Sequence, residues 1–170
     1  MKFAEIRSYL PIAFFMASLS MGGCALTKTA MPPLASVEGV QGHFRIGRII
    51  HLDTGKALPF DRLIDQLESK DLIFIGEKHD NPEHHLIQVQ ILQALMARCG
   101  DLSVAMEFFQ KPQQPVLDRY MEGTSTETAF LKDVDWLKAW SFDYYFYRPL
   151  IFMLREKRSR IHAINAPNDI

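Results

Sequence analysis

Asp71 to Leu95 reads DLIFIGEKHDNPEHHLIQVQILQAL. The apolar run Leu72–Ile75 predicts a short buried strand that Gly76 ends. A tight turn carrying Glu77 and His79 follows, and a helix is expected from Pro82 to about Arg98. Asp80 or Asn81 suits the helix cap and Pro82 its first position. In an open α/β sheet, ligands settle outside the carboxyl ends of the strands. Glu77, His79 and Asp80 fall there. A carboxylate and an imidazole two residues apart make an acid/base pair or half of a metal site. A polar capping loop is the plainer alternative.

Earlier in the chain, Phe44–Leu52 reads as a strand leading to a hairpin or bend at Asp53-Thr54-Gly55-Lys56. Phe60, Leu63, Ile64 and Leu67 mark a helix face. Leu102–Phe109 is a second apolar strand, with Glu107 towards its end. Helices are expected over Pro112–Met121 and Ser125–Leu131. An aromatic, irregular stretch covers Asp135–Phe146. Pro149 then opens an apolar helix to about Arg158, and Ile161–Asn165 is a third strand. Strands and helices alternating at this spacing imply βαβ units. The expected fold is α/β, a three-layer sandwich with a mainly parallel sheet. Right-handed crossovers would bring Glu77, His79, Glu107 and Asn165 to one edge.

The chain has 170 residues, a net charge of −1 and 48% hydrophobic residues, which suits one globular domain. Nothing in that balance points to nucleic acid. The basic run Arg155, Lys157, Arg158 and Arg160 is read as a solvated helix end. Residues 1–24 carry a weakly positive start, an apolar run too short to span a bilayer, and Gly22-Gly23 before Cys24. This resembles a bacterial lipoprotein signal, in which Cys24 is lipidated. An ordinary signal peptide is the alternative. Ala25 after the cysteine resembles Gram-negative sorting to the outer membrane. The expected location is the cell envelope, an outer-membrane lipoprotein facing the periplasm or surface. Residues 25–43 read as a tether and 44–170 as the domain. Cys99 is then the single remaining cysteine and is expected to be buried. The chain stops just after a strand, so an incomplete sheet is expected, with association through its uncovered face, as a homodimer for instance.

Three constellations carry chemistry. Glu77, His79 and Glu107 could hold a divalent metal or share a proton. A solvated strand-end glutamate is the alternative for Glu107. His84 and His85 follow His79 at a spacing that is not a standard zinc motif, and surface positions at a helix start suit them. Trp136, Trp140, Phe142, Tyr144, Tyr145, Phe146 and Tyr147 form the densest aromatic cluster. Packing is their simplest use, although tyrosine ligates ferric haem and flat rings suit a macrocycle. Arg148 would pair with a propionate or another carboxylate.

Five segments together carry a family resemblance: IGEKHDNPEHHLIQVQILQAL, SVAMEFF, LDRYMEG, W-x3-W-x6-YRPL and INAP. In this order they resemble the ChaN-like haem-binding lipoproteins of the Tiki/erythromycin-esterase superfamily, from Phe44 to the end. The resemblance implies a three-layer α/β fold, haem as cofactor, and a role in bacterial iron and haem acquisition. Tyr144 or Tyr147 would be the iron ligand. The wider superfamily implies the rival reading, a metal-dependent hydrolase or peptidase using Glu77, His79 and Glu107. Lys78 stands where a polar uncharged residue is expected, and such proteins run on beyond the NAP segment.

Overall fold

The computed structural model describes residues 34–167. The expected signal segment, Cys24 and residues 25–33 of the tether lie outside the described residues. The end of the expected tether is drawn into the fold, because Ala35 bridges Phe44 through a pair of 2.7 Å backbone hydrogen bonds.

The bend signal at Asp53–Gly55 makes an antiparallel hairpin of β1 (Ile49–His51) and β2 (Lys56–Leu58). Helix α1 (Phe60–Leu67) follows, and then α2 (Pro82–Cys99). The Asn81 side chain accepts from the Glu83 N–H at 2.9 Å, Pro82 occupies the first turn, and Gly100 ends α2 at φ 80°. Each meets a demand of a helix end: an orphan donor satisfied, a missing N–H placed where none is needed, and a positive φ open to glycine. Ile64 of α1 packs on Ile91 and Leu95 of α2 to form a small satellite core.

The main core surrounds β3 (Ser103–Gln110) and β4 (Arg160–Asn165), which pair in parallel with Val104 opposite Ile161 and Ala105 opposite His162. Between them run a 3-10 turn (Lys111–Gln113), α3 (Gln114–Met121), α4 (Glu127–Asp133), the single turn α5 (Trp136–Ala139) and α6 (Tyr144–Glu156). Phe109, Leu117, Tyr120, Phe130, Ile151 and Leu154 are buried at its centre. The free edge of β4 is covered by one side chain. The Gln114 amide donates to the Ile161 carbonyl at 2.9 Å and accepts from the Ala163 N–H at 2.7 Å, as a neighbouring strand would.

The architecture is mixed α/β with small sheets. Three expectations are corrected. Leu72–Ile75 is not a paired strand: among the described residues the sheets are β1–β2 and β3–β4, and Leu72 and Phe74 are exposed, Phe74 by 89%. An apolar run becomes a strand only when a partner takes up its backbone groups. The mainly parallel sheet is accordingly reduced to one parallel pair. Pro149 does not open α6 but lies inside it; Asp143 caps that helix by accepting from the Tyr145 N–H at 2.9 Å. Pro149 is exposed, so the backbone carbonyl it leaves without its helical donor can reach water. Cys99 is exposed rather than buried, its thiol 3.9 Å from the Glu68 carbonyl. No described helix is long and apolar enough to cross a membrane.

Candidate functional site

Glu77 is the centre of the site. Its side chain is 6% exposed, at the turn that leads into α2. Oε1 accepts from His79 Nδ1 at 2.9 Å and from the Tyr147 hydroxyl at 2.9 Å. Oε2 accepts from the Gln88 amide at 2.7 Å. His85 Nδ1 lies 3.2 Å from Oε2 but off the line of a hydrogen bond. Burial alone would raise the Glu77 pKa. The bonds from His79, Gln88 and Tyr147, with His85 nearby, outweigh it and hold the carboxyl below its ordinary value.

These contacts set the tautomers. An ionised carboxylate only accepts, so His79 donates from Nδ1. Its Nε2 is then the free lone pair, and it makes no hydrogen bond among the described residues. The His79 side chain is 33% exposed, flanked by Trp140 and Phe142 with ring centroids at 4.8 and 4.9 Å. A carboxylate that orients an imidazole and fixes its tautomer is the usual outer support of a metal-binding histidine. His85 is buried and donates from Nε2 to the His79 carbonyl at 3.0 Å, which braces the turn. It stacks on Phe146 at 5.2 Å and meets the edge of Tyr147 at 4.6 Å. The indole Nε1 of Trp140 is buried without a hydrogen-bond partner.

The two tyrosines expected to face iron are engaged elsewhere. Tyr147 is buried and donates to Glu77. Burial, together with that carboxylate, pushes its phenol well above the ordinary value. Tyr144 is buried and donates to Glu127 at 2.9 Å, and burial with that bond likewise pushes its phenol well above the ordinary value. Arg148 does not face a vacant anion position. It grips Glu127 with two bonds of 2.7 and 3.1 Å, and this pairing lowers the Glu127 carboxyl. The open phenol of the cluster is that of Tyr145, 74% exposed.

Glu107 does not end its strand; β3 runs on to Gln110. Its side chain is exposed and makes no hydrogen bond or ion pair among the described residues, although its charge is felt at Tyr147. Glu77, His79 and Glu107 therefore share a neighbourhood without forming a ligand set. No three His, Cys, Asp or Glu side chains among the described residues stand in metal-holding geometry. His84 accepts from the Lys78 N–H at 2.8 Å and stays at the surface.

His85 and Gln88 are the members that sequence reasoning missed. A signal was present: the buried residues of α2 are His85, Gln88, Ile91 and Leu95, one stripe at helical spacing whose first two members are polar. Polar side chains on the buried face of a helix need partners, and Glu77 is that partner.

The family described as haem-binding uptake, Tiki superfamily, ChaN matches residues 63–170. Among solved structures, the chain is similar to the one titled "Cofacial heme binding to ChaN of Campylobacter jejuni", with 26% identity and a TM-score of 0.61. The similarity covers 72% of this chain and 49% of that one, so the chain spans about half the length of its solved relative. No curated protein matches the chain.

Proposed function

The chain belongs to the haem-binding uptake family of ChaN and the Tiki superfamily, and from that membership we propose that it binds haem at the His79 face of the Glu77 site. The observation that carries this reading is the Glu77–His79 contact of 2.9 Å, which leaves Nε2 of a partly exposed imidazole unengaged between two aromatic rings. These residues fit the group. Imidazole is a good iron ligand, flat rings suit a macrocycle face, and a carboxylate behind the imidazole fixes its tautomer. When bound, haem would supply the iron that the protein stores or hands on. Tyr147 holds Glu77 in place, while Tyr144 and Arg148 hold Glu127, so these three position the site rather than contact iron.

The wider reading is a lipoprotein of bacterial iron and haem acquisition, acylated at Cys24 and anchored in the cell envelope, on the outer membrane facing the periplasm or surface. A three-layer sandwich built around β3 and β4 is the architecture proposed for the whole protein, and pairing of two chains its expected assembly. The rival reading, a divalent-metal hydrolase using Glu77, His79 and Glu107, has the Glu77–His79 pair in its favour but lacks contact with Glu107.

Titrating the purified chain with haemin tests the proposal. Saturable growth of a Soret band that His79→Ala weakens at least tenfold supports it; equal binding by the variant refutes the His79 assignment. For the anchor, a fatty-acid probe fed to cells should label the wild type and not Cys24→Ser, and equal labelling would contradict acylation there.

A further inference from the structure

Beside His79, one polar atom has no evident use. The indole Nε1 of Trp140 is buried and makes no hydrogen bond among the described residues. An N–H shut off from water must find its acceptor inside the protein or cost free energy. The chain around this ring is tied down. The Trp140 backbone N–H donates to the Trp136 carbonyl at 2.9 Å, and the Trp136 indole donates to the Phe142 carbonyl at 2.7 Å. The Trp140 ring packs on His79 at 4.8 Å and stands at 81° to the Tyr147 ring, with centroids 6.3 Å apart.

One acceptor fits. The Tyr147 hydroxyl donates to Glu77 Oε1 and makes no other hydrogen bond among the described residues, so its lone pairs are free. The Trp140 indole already bears on that hydroxyl. It draws the Tyr147 phenol down, against the larger upward push of burial. The two groups are neighbours that stand out of line for a full bond. Beyond them, Glu77 Oε1 is a shared oxygen: it accepts from Tyr147 and from His79 Nδ1, each at 2.9 Å.

We propose that Trp140 is a positioning residue that tunes His79 as an iron ligand: its indole N–H closes onto the Tyr147 hydroxyl and acts through Glu77 Oε1 on the imidazole. This tuning presupposes haem bound at His79. A donor on the hydroxyl oxygen polarises the Tyr147 O–H and makes it a stronger donor to Oε1. Less of that oxygen's charge is then left for the His79 Nδ1–H, so the imidazole donates less to iron. Ferric iron, with the greater charge, loses more by this than ferrous iron. Trp140 therefore raises the haem reduction potential, as hydrogen bonding behind an axial ligand can.

Two measurements test it, the first without haem. The chain has two tryptophans, so a nitrogen–proton correlation spectrum shows an indole resonance for each, and Trp140→Phe identifies its own. Tyr147→Phe keeps the ring and removes the hydroxyl. It should move the Trp140 resonance upfield, and by more than that of Trp136. The second is the midpoint potential of the haem complex in a double-mutant cycle. Benzothienylalanine in place of Trp140 keeps the shape and lacks the N–H. It should favour ferric haem by about twofold, roughly 18 mV at about 59 mV per tenfold. Tyr147→Phe should lower the potential further. The combined variant should match Tyr147→Phe alone, because Trp140 acts only through that hydroxyl. An unmoved Trp140 resonance in Tyr147→Phe, an unchanged or raised potential with the isostere, or additive shifts in the combined variant would each overturn the proposal. The haemin titration of His79→Ala tests the site reading separately: its failure leaves the haem-free shift in place, whereas failure of the Trp140–Tyr147 contact abolishes that shift.

Discussion

Glu77 shows how one residue organises a site. Its carboxylate is desolvated, a cost that hydrogen bonds must offset, and three donors meet it. Replacing it with glutamine keeps the shape but sets an amide N–H against donors. Glu77→Gln is expected to weaken haem binding about 10–100-fold, the usual cost of losing such a support, and to destabilise the fold by roughly 1–3 kcal/mol. The pH dependence has a definite sign. The folded carboxyl is held below its ordinary value of 4.5, so its stabilising contribution is complete above that value and is lost as pH falls through the folded value. Acid denaturation followed by circular dichroism should show this loss in the wild type and not in Glu77→Gln. Arg158, whose φ is 55°, shows the opposite balance. Left-handed backbone costs a non-glycine residue roughly 1–2 kcal/mol, so Arg158→Gly should gain up to about that much in denaturant titration.

At the scale of elements, α6 converts its aromatic run into both core and support. Tyr144, Tyr147 and Ile151 face inward at helical spacing, and the two tyrosines carry their hydroxyls to Glu127 and Glu77. Tyr144→Phe leaves Glu127 to Arg148 alone and should cost about 1 kcal/mol in thermal unfolding, with the haem spectrum unchanged. The hairpin, α1, α2, β3, α4 and β4 are legible from turn signals, caps and apolar periodicity. Other features are not, for physical reasons. Pro149 resembles a helix start because proline favours first turns. The helix in fact begins at the Asp143 cap, and Arg148 and Pro149 continue it. Leu72–Ile75 resembles a strand because apolar residues usually find a sheet, whereas pairing depends on a partner that local sequence does not specify. The turn residues Glu77 and His79 are legible as a pair. Their bracing by His85, Gln88 and Tyr147 is not, since it joins the turn to α2 and to the distant α6.

For the whole molecule, the unpaired Leu72–Ile75 segment is the dominant feature. Exposed apolar side chains beside unpaired backbone groups form a template for association. Hydrogen exchange should be fast at the amides of Leu72–Glu77 in dilute solution and slow in β3 and β4. Sedimentation velocity should show self-association that Phe74→Lys reduces; a strictly monomeric wild type would contradict this. The core around β3 and β4 does not depend on that segment, so the variant should remain folded.

In the proposed complex, haem iron meets His79 Nε2, with Glu77 behind it and the two buried tyrosines in support. Optical spectroscopy of the ferric haem complex decides whether it does, comparing the wild type with His79→Ala and with the double variant Tyr144→Phe, Tyr147→Phe. The expected result is no phenolate charge-transfer band in the wild type, an unchanged spectrum in the double tyrosine variant, and loss of the complex in His79→Ala. A phenolate band that disappears with the tyrosines and survives His79→Ala would contradict it.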